Sequence, residues 1–431
     1  MAASTATAEL PARDRRERLR SVRRAVPVFV WLWLVTRVLL LVVTLNPRLY
    51  STDLYGDVRA YGAKTERMFQ GELPYRDVAI EYPPGSVPFT LVPGLVVGTG
   101  AGYRAAFAVE MLLVDALGLY AAWRLARAVD RGRRRIPLAY TLGMLAVGPL
   151  LLLRFDLVPA VCVLLAAALA AEGRAGPSAA ALGYGAAAKL FPAVLAPLLV
   201  LGLMPTQGWW RPLRRTVPGF LLGFGLTVVP ALVVSATGAL DSLLYHVRRG
   251  VQIESVPANL IDLAHVAFGL QARTVHGFGA FDLDSSVSGT MKLASTAATA
   301  ATLAGAAWLV YWRSRRSGGL QPGDWAAVFA IGVFAFVLPT RVLSPQYLVW
   351  LVAPVAGLAG HRLGRRALWA LASAAVLSQV EFPFRYSQLR HLVWIDIGVL
   401  TCRNLLLVVA CVLVVRTFGG GRALARARET A

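Results

Sequence analysis

Residues 25–45 carry one charged side chain, Arg37, in a run long enough to cross a hydrocarbon layer as a single helix. Comparable apolar runs recur near 103–124, 136–153, 157–172, 177–190, 193–205, 216–237, 290–312, 325–340, 346–360, 367–383 and 392–415, with the charges bunched between them. In lipid each backbone N–H and C=O must bond within its own segment or a closed barrel. Repeated apolar runs of helical length therefore predict an all-α polytopic transmembrane helix bundle of about twelve spans. Composition agrees: 57% of the 431 residues are hydrophobic and 16% charged. The expected organisation is a basic tail over 1–24, a membrane domain over 25–415 with outer loops at 46–102 and 238–289, and a second basic tail over 416–431.

A formal charge of +21 would suit a nucleic-acid binder if it formed one stripe, but here it is dispersed between apolar runs. Arg13, Arg15, Arg16, Arg18, Arg20, Arg23 and Arg24 precede the first run, and no small-residue cleavage site follows it. That predicts a retained first helix with its tail in the cytoplasm. Twelve crossings return the C-terminus to the same side. More than half of the 44 Lys and Arg, but fewer than a third of the 23 Asp and Glu, then fall on cytoplasmic segments. The charge reads as a topology signal, and no nucleic-acid partner is implied. The segment "VPFTLVPGLVVGTG" (87–100) is apolar too, but its two prolines and three glycines predict an interfacial dip; a crossing there would reverse the charge bias. Runs 177–190 and 193–205 are short for spans and suggest a tilted or broken hairpin. Cys162, Cys402 and Cys411 lie inside apolar runs without metal-ligand spacing.

On this map the polar residues gather on the outer face, in 47–86, 154–156, the Lys189 corner, 238–289, 341–347 and 381–391. Within the first outer loop Asp53, Asp57 and Tyr61 recur at four-residue intervals, beside an apolar stripe of Leu54, Val58, Tyr61, Met68 and Phe69. The spacing predicts an amphipathic helix on the membrane surface, ending near Gly71. Pro83 and Pro84 force extended backbone, which sets Glu81 and Tyr82 at a rigid bend. Each residue also has a structural explanation. Asp53 suits a helix cap, Tyr61 and Tyr82 suit interfacial anchors, and Lys189 suits a snorkelling helix end.

The run Asp57, Tyr61, Gly71, Tyr75 and "EYPPG" (81–85) resembles the start of the glycosyltransferases of family 87, polyprenyl-phosphate-mannose-dependent α-mannosyltransferases of actinobacteria. Three further stretches are similar to that family: "RFDLVPAVCVLLAAALA" (154–170), "AAAKLFPAVLAPLLVL" (186–201) and "RVLSPQYLVWLVAP" (341–354). The resemblance implies a GT-C architecture in the cell membrane, with an extracytoplasmic site, a lipid-linked sugar donor, and a catalytic aspartate that corresponds here to Asp57. Asp53 lies one helical turn earlier, so the identity of the base stays open between the two.

Transfer from a polyprenyl phosphate requires a carboxylate to take the acceptor proton and fixed positive charge for the departing phosphate. Candidate cations are Lys189, Arg341 and Arg154, with His246, Arg248 and Arg249 behind them; Arg154 equally suits pairing with Asp156. Tyr61, Glu81, Tyr82, Gln346 and Tyr347 are candidate substrate contacts. A donor with one phosphate needs no metal or other cofactor, and "DLD" (282–284) lies far along a Gly- and Ser-bordered loop. The expected partners are the polyprenyl-phosphate sugar, with mannose favoured over arabinose, and a lipid or glycan acceptor. The alternative is a transporter or lipid flippase, which this sequence disfavours by showing no internal repeat. Within the membrane, Arg37 should pair with Glu110 or Asp115, while Arg403 has only Asp396 nearby in sequence.

Overall fold

The computed structural model describes residues 27–46, 48–50, 52–129 and 134–419. The N-terminal tail and all but the first residues of the C-terminal tail lie outside them. Helix α1 (Val28–Leu45) leads to α2 (Gly56–Phe69), α3 (Val87–Val97), α4 (Tyr103–Val129), α5 (Arg135–Ala146) and α6 (Leu157–Ala171). Then come α7 (Ala175–Ala188), α8 (Ala196–Gln207), α9 (Trp210–Val234), α10 (Ala236–Arg248) and α11 (Val256–Phe268). Strands β1 (Ala272–Gly277) and β2 (Ala280–Ser285) form an antiparallel hairpin. The chain finishes with α12 (Ser288–Ser317), α13 (Asp324–Val337), α14 (Leu348–Ala356), α15 (Arg362–Gln379) and α16 (Trp394–Gly419).

Six helices, α1, α4, α9, α12, α15 with its extension to Phe384, and α16, are long and apolar enough to cross a membrane. The protein is thus a mostly helical membrane protein. Burial separates two shells. Helices α6, α13 and α14 are almost wholly buried, whereas only 6% of the most apolar window of α9 is covered by protein. A helix apolar on every side and uncovered by protein is one whose solvent is lipid. Helices α7 and α9 touch backbone to backbone: a Cβ on Gly183 would lie 2.1 Å from the Phe220 carbonyl oxygen, and one on Gly223 the same distance from that of Ala180. Small residues permit such approaches, which lipid alone would not drive.

Polar bonds tie the two long loops to the bundle. Tyr55 Oη donates to the Thr44 carbonyl at 3.1 Å, and Arg154 Nη1 donates to the Leu54 carbonyl, also at 3.1 Å. Gln252 N donates to the Arg341 carbonyl at 2.9 Å, and Thr274 Oγ1 to the Arg390 carbonyl at 2.9 Å. These bonds knit residues 46–102 and 235–287 to the ends of the bundle helices.

Helix α2 lies where the four-residue spacing predicts it, and Gly71 ends it with φ +94°. Its buried face is Val58, Tyr61, Gly62 and Thr65, so the expected stripe turns inward at Thr65, leaving Phe69 exposed. Residues 87–97 form the short helix α3, folded back with Thr65 and Phe69 beside Gly94; at 11 residues it is too short to span. Three features depart from the sequence reading: helices α10 and α11, and the β-hairpin, all in the second long loop. Gly277, Phe278 and Gly279 at the hairpin tip, between short alternating runs, are the signal that reading passed over.

Arg37 pairs with Asp115, Nε to Oδ2 at 2.7 Å, with both side chains fully buried. Trp33 Nε1 donates to the same oxygen at 2.5 Å, Tyr140 Oη donates to Oδ1 at 2.8 Å, and Arg37 Nη1 donates to the Thr141 carbonyl at 2.9 Å. Of the two expected partners, Asp115 is the one used. Arg403, whose one carboxylate nearby in sequence is Asp396, lies 3.6 Å from Glu381 instead, and Asp396 pairs with Arg385. Asp115→Ala should destabilise the protein by about 3–5 kcal/mol, since it strands a buried guanidinium. Thermal unfolding in detergent checks this, and a variant as stable as wild type would show that the pair is not a lock.

Candidate active site

Asp57 opens the first turn of α2, and its carboxylate is 37% exposed. Arg154, 4% exposed, places its Nε 2.8 Å from Asp57 Oδ2. The contact is ionic in distance but off the line of a good hydrogen bond, since Nε counts no hydrogen-bond partner. The guanidinium is anchored from behind: Nη1 donates to the carbonyls of Leu54 and Leu153 at 3.1 and 2.9 Å. The bundle, through residue 154, thus sets where the loop carboxylate stands. Asp156 does not pair with Arg154, the alternative its spacing allowed; it accepts from Lys189 Nζ at 2.7 Å.

Lys189 is buried at the C-terminal end of α7, ringed by Tyr82, Phe155, Tyr347 and Trp350 with centroids 5.4, 5.5, 4.9 and 5.3 Å from Nζ. Tyr347 and Phe191 stack on the Trp350 indole at 3.8 and 4.0 Å. This is an aromatic box around an ammonium already neutralised by Asp156, not a lysine snorkelling to water. Tyr61 packs against Phe155 and Tyr82 at centroid distances of 5.7 and 6.2 Å, and its hydroxyl is buried without a partner among the described residues. Burial first, then the charge of Asp57 among others, pushes the Tyr61 and Tyr82 phenols well above their ordinary values. Both stay neutral donors.

The Pro83–Ser86 bend is pinned to the same corner. A Cβ on Gly85 would stand 2.6 Å from the Ala187 carbonyl carbon and the Ala188 nitrogen, so only glycine lets the bend rest on the end of α7. Tyr75 Oη donates to the Tyr82 carbonyl at 2.8 Å. Glu81 is ion-paired with Lys64 and half-buried.

A second charged group stands alongside. Asp282 on β2 accepts from Gly250 N at 3.0 Å. Burial raises its carboxyl, and Arg249, then that hydrogen bond, then Lys292 and Arg341 pull it back. Three cations therefore act on one acid. Arg249 is buried and Arg248 exposed. The Tyr245 phenol links the groups, raised first by burial; Arg249 opposes the rise, and Glu81, Asp282 and Asp57 add to it. Gln346 sits half-buried on the 3₁₀ turn Pro345–Tyr347. The side chains of Asp53 and His246 lie outside the described residues. Asp284 of the "DLD" stretch pairs across the hairpin with Arg273 at 2.9 Å.

Most of the candidates thus converge on one corner or its neighbour: Asp57, Tyr61, Tyr82, Arg154, Lys189 and Tyr347 on the first, Arg249 and Arg341 on the second. The sequence reading did not single out Phe155, Trp350, Tyr245 or Lys292. No family model and no curated protein matches this sequence.

Behind the second group Glu254 is buried, its Oε2 accepting from Gln252 Nε2 at 2.9 Å; Gln252 Nε2 also donates to Ser344 Oγ at 2.9 Å. Burial pushes its carboxyl up to about 8 against the opposing charge of Arg403. The folded protein keeps a proton that the unfolded chain releases near the ordinary value, so the stabilising contribution is complete below about 4.5 and lost as pH rises through about 8. Melting temperature should therefore fall more steeply from about pH 6 to pH 9 in wild type than in Glu254→Gln. Parallel curves would exclude this proton.

Proposed function

We propose that the protein is a membrane glycosyltransferase of GT-C type, moving a hexose, mannose favoured, from a polyprenyl-phosphate donor to a lipid or glycan acceptor. What supports this reading is Asp57: a carboxylate open to solvent on one side and held from behind by a buried, backbone-anchored guanidinium. In the proposed step the acceptor hydroxyl attacks the anomeric carbon, its proton passes to Asp57, and the anomeric C–O bond to the phosphate breaks, releasing polyprenyl phosphate. One displacement with one base inverts the anomeric centre.

The charge balance redirects the phosphate. Arg154 and Lys189 each face a carboxylate, so the first corner is close to neutral, whereas Arg249 and Lys292, which make no ion pair among the described residues, act with Arg341 on the single carboxylate of Asp282. On this reading the second group receives the phosphate, with Arg249 and Arg341 as its fork-shaped donors, while Lys189 holds the aromatic wall in place. The reading also takes twelve helical segments as crossings, with both termini cytoplasmic and the polar end outside, as the bias of Lys and Arg in sequence supports.

Purified protein supplied with polyprenyl-phosphate-mannose and a lipid acceptor tests it. Asp57→Asn should lower turnover at least about a hundredfold and, because it leaves the buried Arg154 without its carboxylate, also lower the melting temperature, so turnover is compared on protein that remains folded by size-exclusion chromatography; Asp53→Asn should remain active. Full activity in Asp57→Asn removes the proposed base, and transfer of arabinose but not mannose keeps the class while changing the sugar.

A further inference from the structure

At the end of the bundle away from Asp57, helices α8 and α9 meet at an open corner of about 600 Å³, lined by Gln207, Trp209, Trp210, Arg211, Arg214 and Arg215. The arginines fall at positions i, i+3 and i+4 of the first turns of α9 and so share one face. All three are exposed, and among the described residues none makes an ion pair or a side-chain hydrogen bond. The helix start adds to the imbalance. Its cap residue, Trp209, offers no side-chain acceptor, and no acid stands in the first turn. Three like charges therefore crowd the positive end of a helix dipole, an arrangement that repels itself unless an anion joins it.

A comparable corner at the same end shows how the protein settles such charge when it does so internally. There, around about 510 Å³, Arg124 pairs with Glu172, Arg174 lies 3.9 Å from the same carboxylate, and Arg127 covers the Trp123 ring at 4.8 Å. The α8–α9 corner has the same aromatic and basic make-up without the acid. Its tryptophans are 61% and 57% exposed and packed edge to face at 5.3 Å, as rings at a water–hydrocarbon boundary stand. The helix they start is the one least covered by protein.

We propose that this corner binds the phosphate headgroup of an anionic phospholipid, with Arg211, Arg214 and Arg215 on the phosphate and Trp209 and Trp210 against the glycerol and upper acyl chains. The lipid phosphate supplies the negative charge that Glu172 supplies in the neighbouring corner, and the acyl chains lie along the uncovered face of α9. The site is independent of the proposed chemistry at the other end, so binding, not turnover, tests it.

The full chain, purified in a neutral detergent, is titrated with phosphatidylglycerol or phosphatidylcholine and the bound lipid is read by native mass spectrometry. Wild type should prefer phosphatidylglycerol, and the Arg211→Gln, Arg214→Gln, Arg215→Gln triple variant should bind it on the order of a hundredfold more weakly. The triple Lys variant should keep most of the preference, and Arg124→Gln all of it. Equal binding in the Gln triple variant, or equal binding of the two lipids by wild type, overturns the site; displacement of the lipid by millimolar inorganic phosphate overturns the lipid as its ligand. If the Gln variant does not fold, wild type decides: its preference must fall as salt rises from roughly 0.05 to 0.5 M, and a salt-insensitive preference overturns the proposal.

Discussion

A guanidinium or ammonium cut off from water is tolerable beside a carboxylate and intolerable without one, so in an apolar bundle each buried cation dictates which segments must meet. Arg37 binds α1 to Asp115 of α4 and to the Thr141 carbonyl of α5. Arg403 of α16 donates to the Glu254 carbonyl at 2.9 Å and lies close to Glu381, which fastens the second long loop to the last helix. Lys189 and Asp156 join the end of α7 to the start of α6. Arg154 then reaches out of the bundle to Asp57. The architecture of the polar end follows from these four requirements, and the aromatic packing fills in around them.

Much of this was legible from the chain. Apolar runs mark helices because lipid leaves the backbone no other partner, and the same logic made Arg37 demand an acid at matching depth. Asp57 and Tyr61 could be placed on one helix face because four-residue spacing is a local property. The pairings that shape the site are not local. Arg154 meets a residue 97 positions earlier, and Lys189 one 33 positions earlier, through loop conformations that no periodicity encodes. Sequence proximity suggested Arg154 with Asp156; folding exchanges the partners because Arg154 is drawn to the carbonyls of Leu54 and Leu153. The second loop was least legible. Its two helices, α10 and α11, and its hairpin are short, and short elements take their conformation from what they rest on.

The two charged groups at the polar end differ in kind. One is balanced and lined by rings, with only the Asp57 carboxylate among its charged groups left partly open to solvent. In the other, Arg249, Lys292 and Arg341 act together on one carboxylate, Asp282.

The lengths of the helices carry a last consequence. The inner helices α6 and α13 have 15 and 14 residues, about 22 Å at 1.5 Å per residue, while the peripheral α9 has 25, about 37 Å. The inner helices, among them the one that Asp156 begins, therefore cover less of the bundle's length than α9 does. In a hydrocarbon layer of roughly 30 Å the outer helix has length to spare and the inner ones do not, so polar groups at the inner ends depend on partners within the protein.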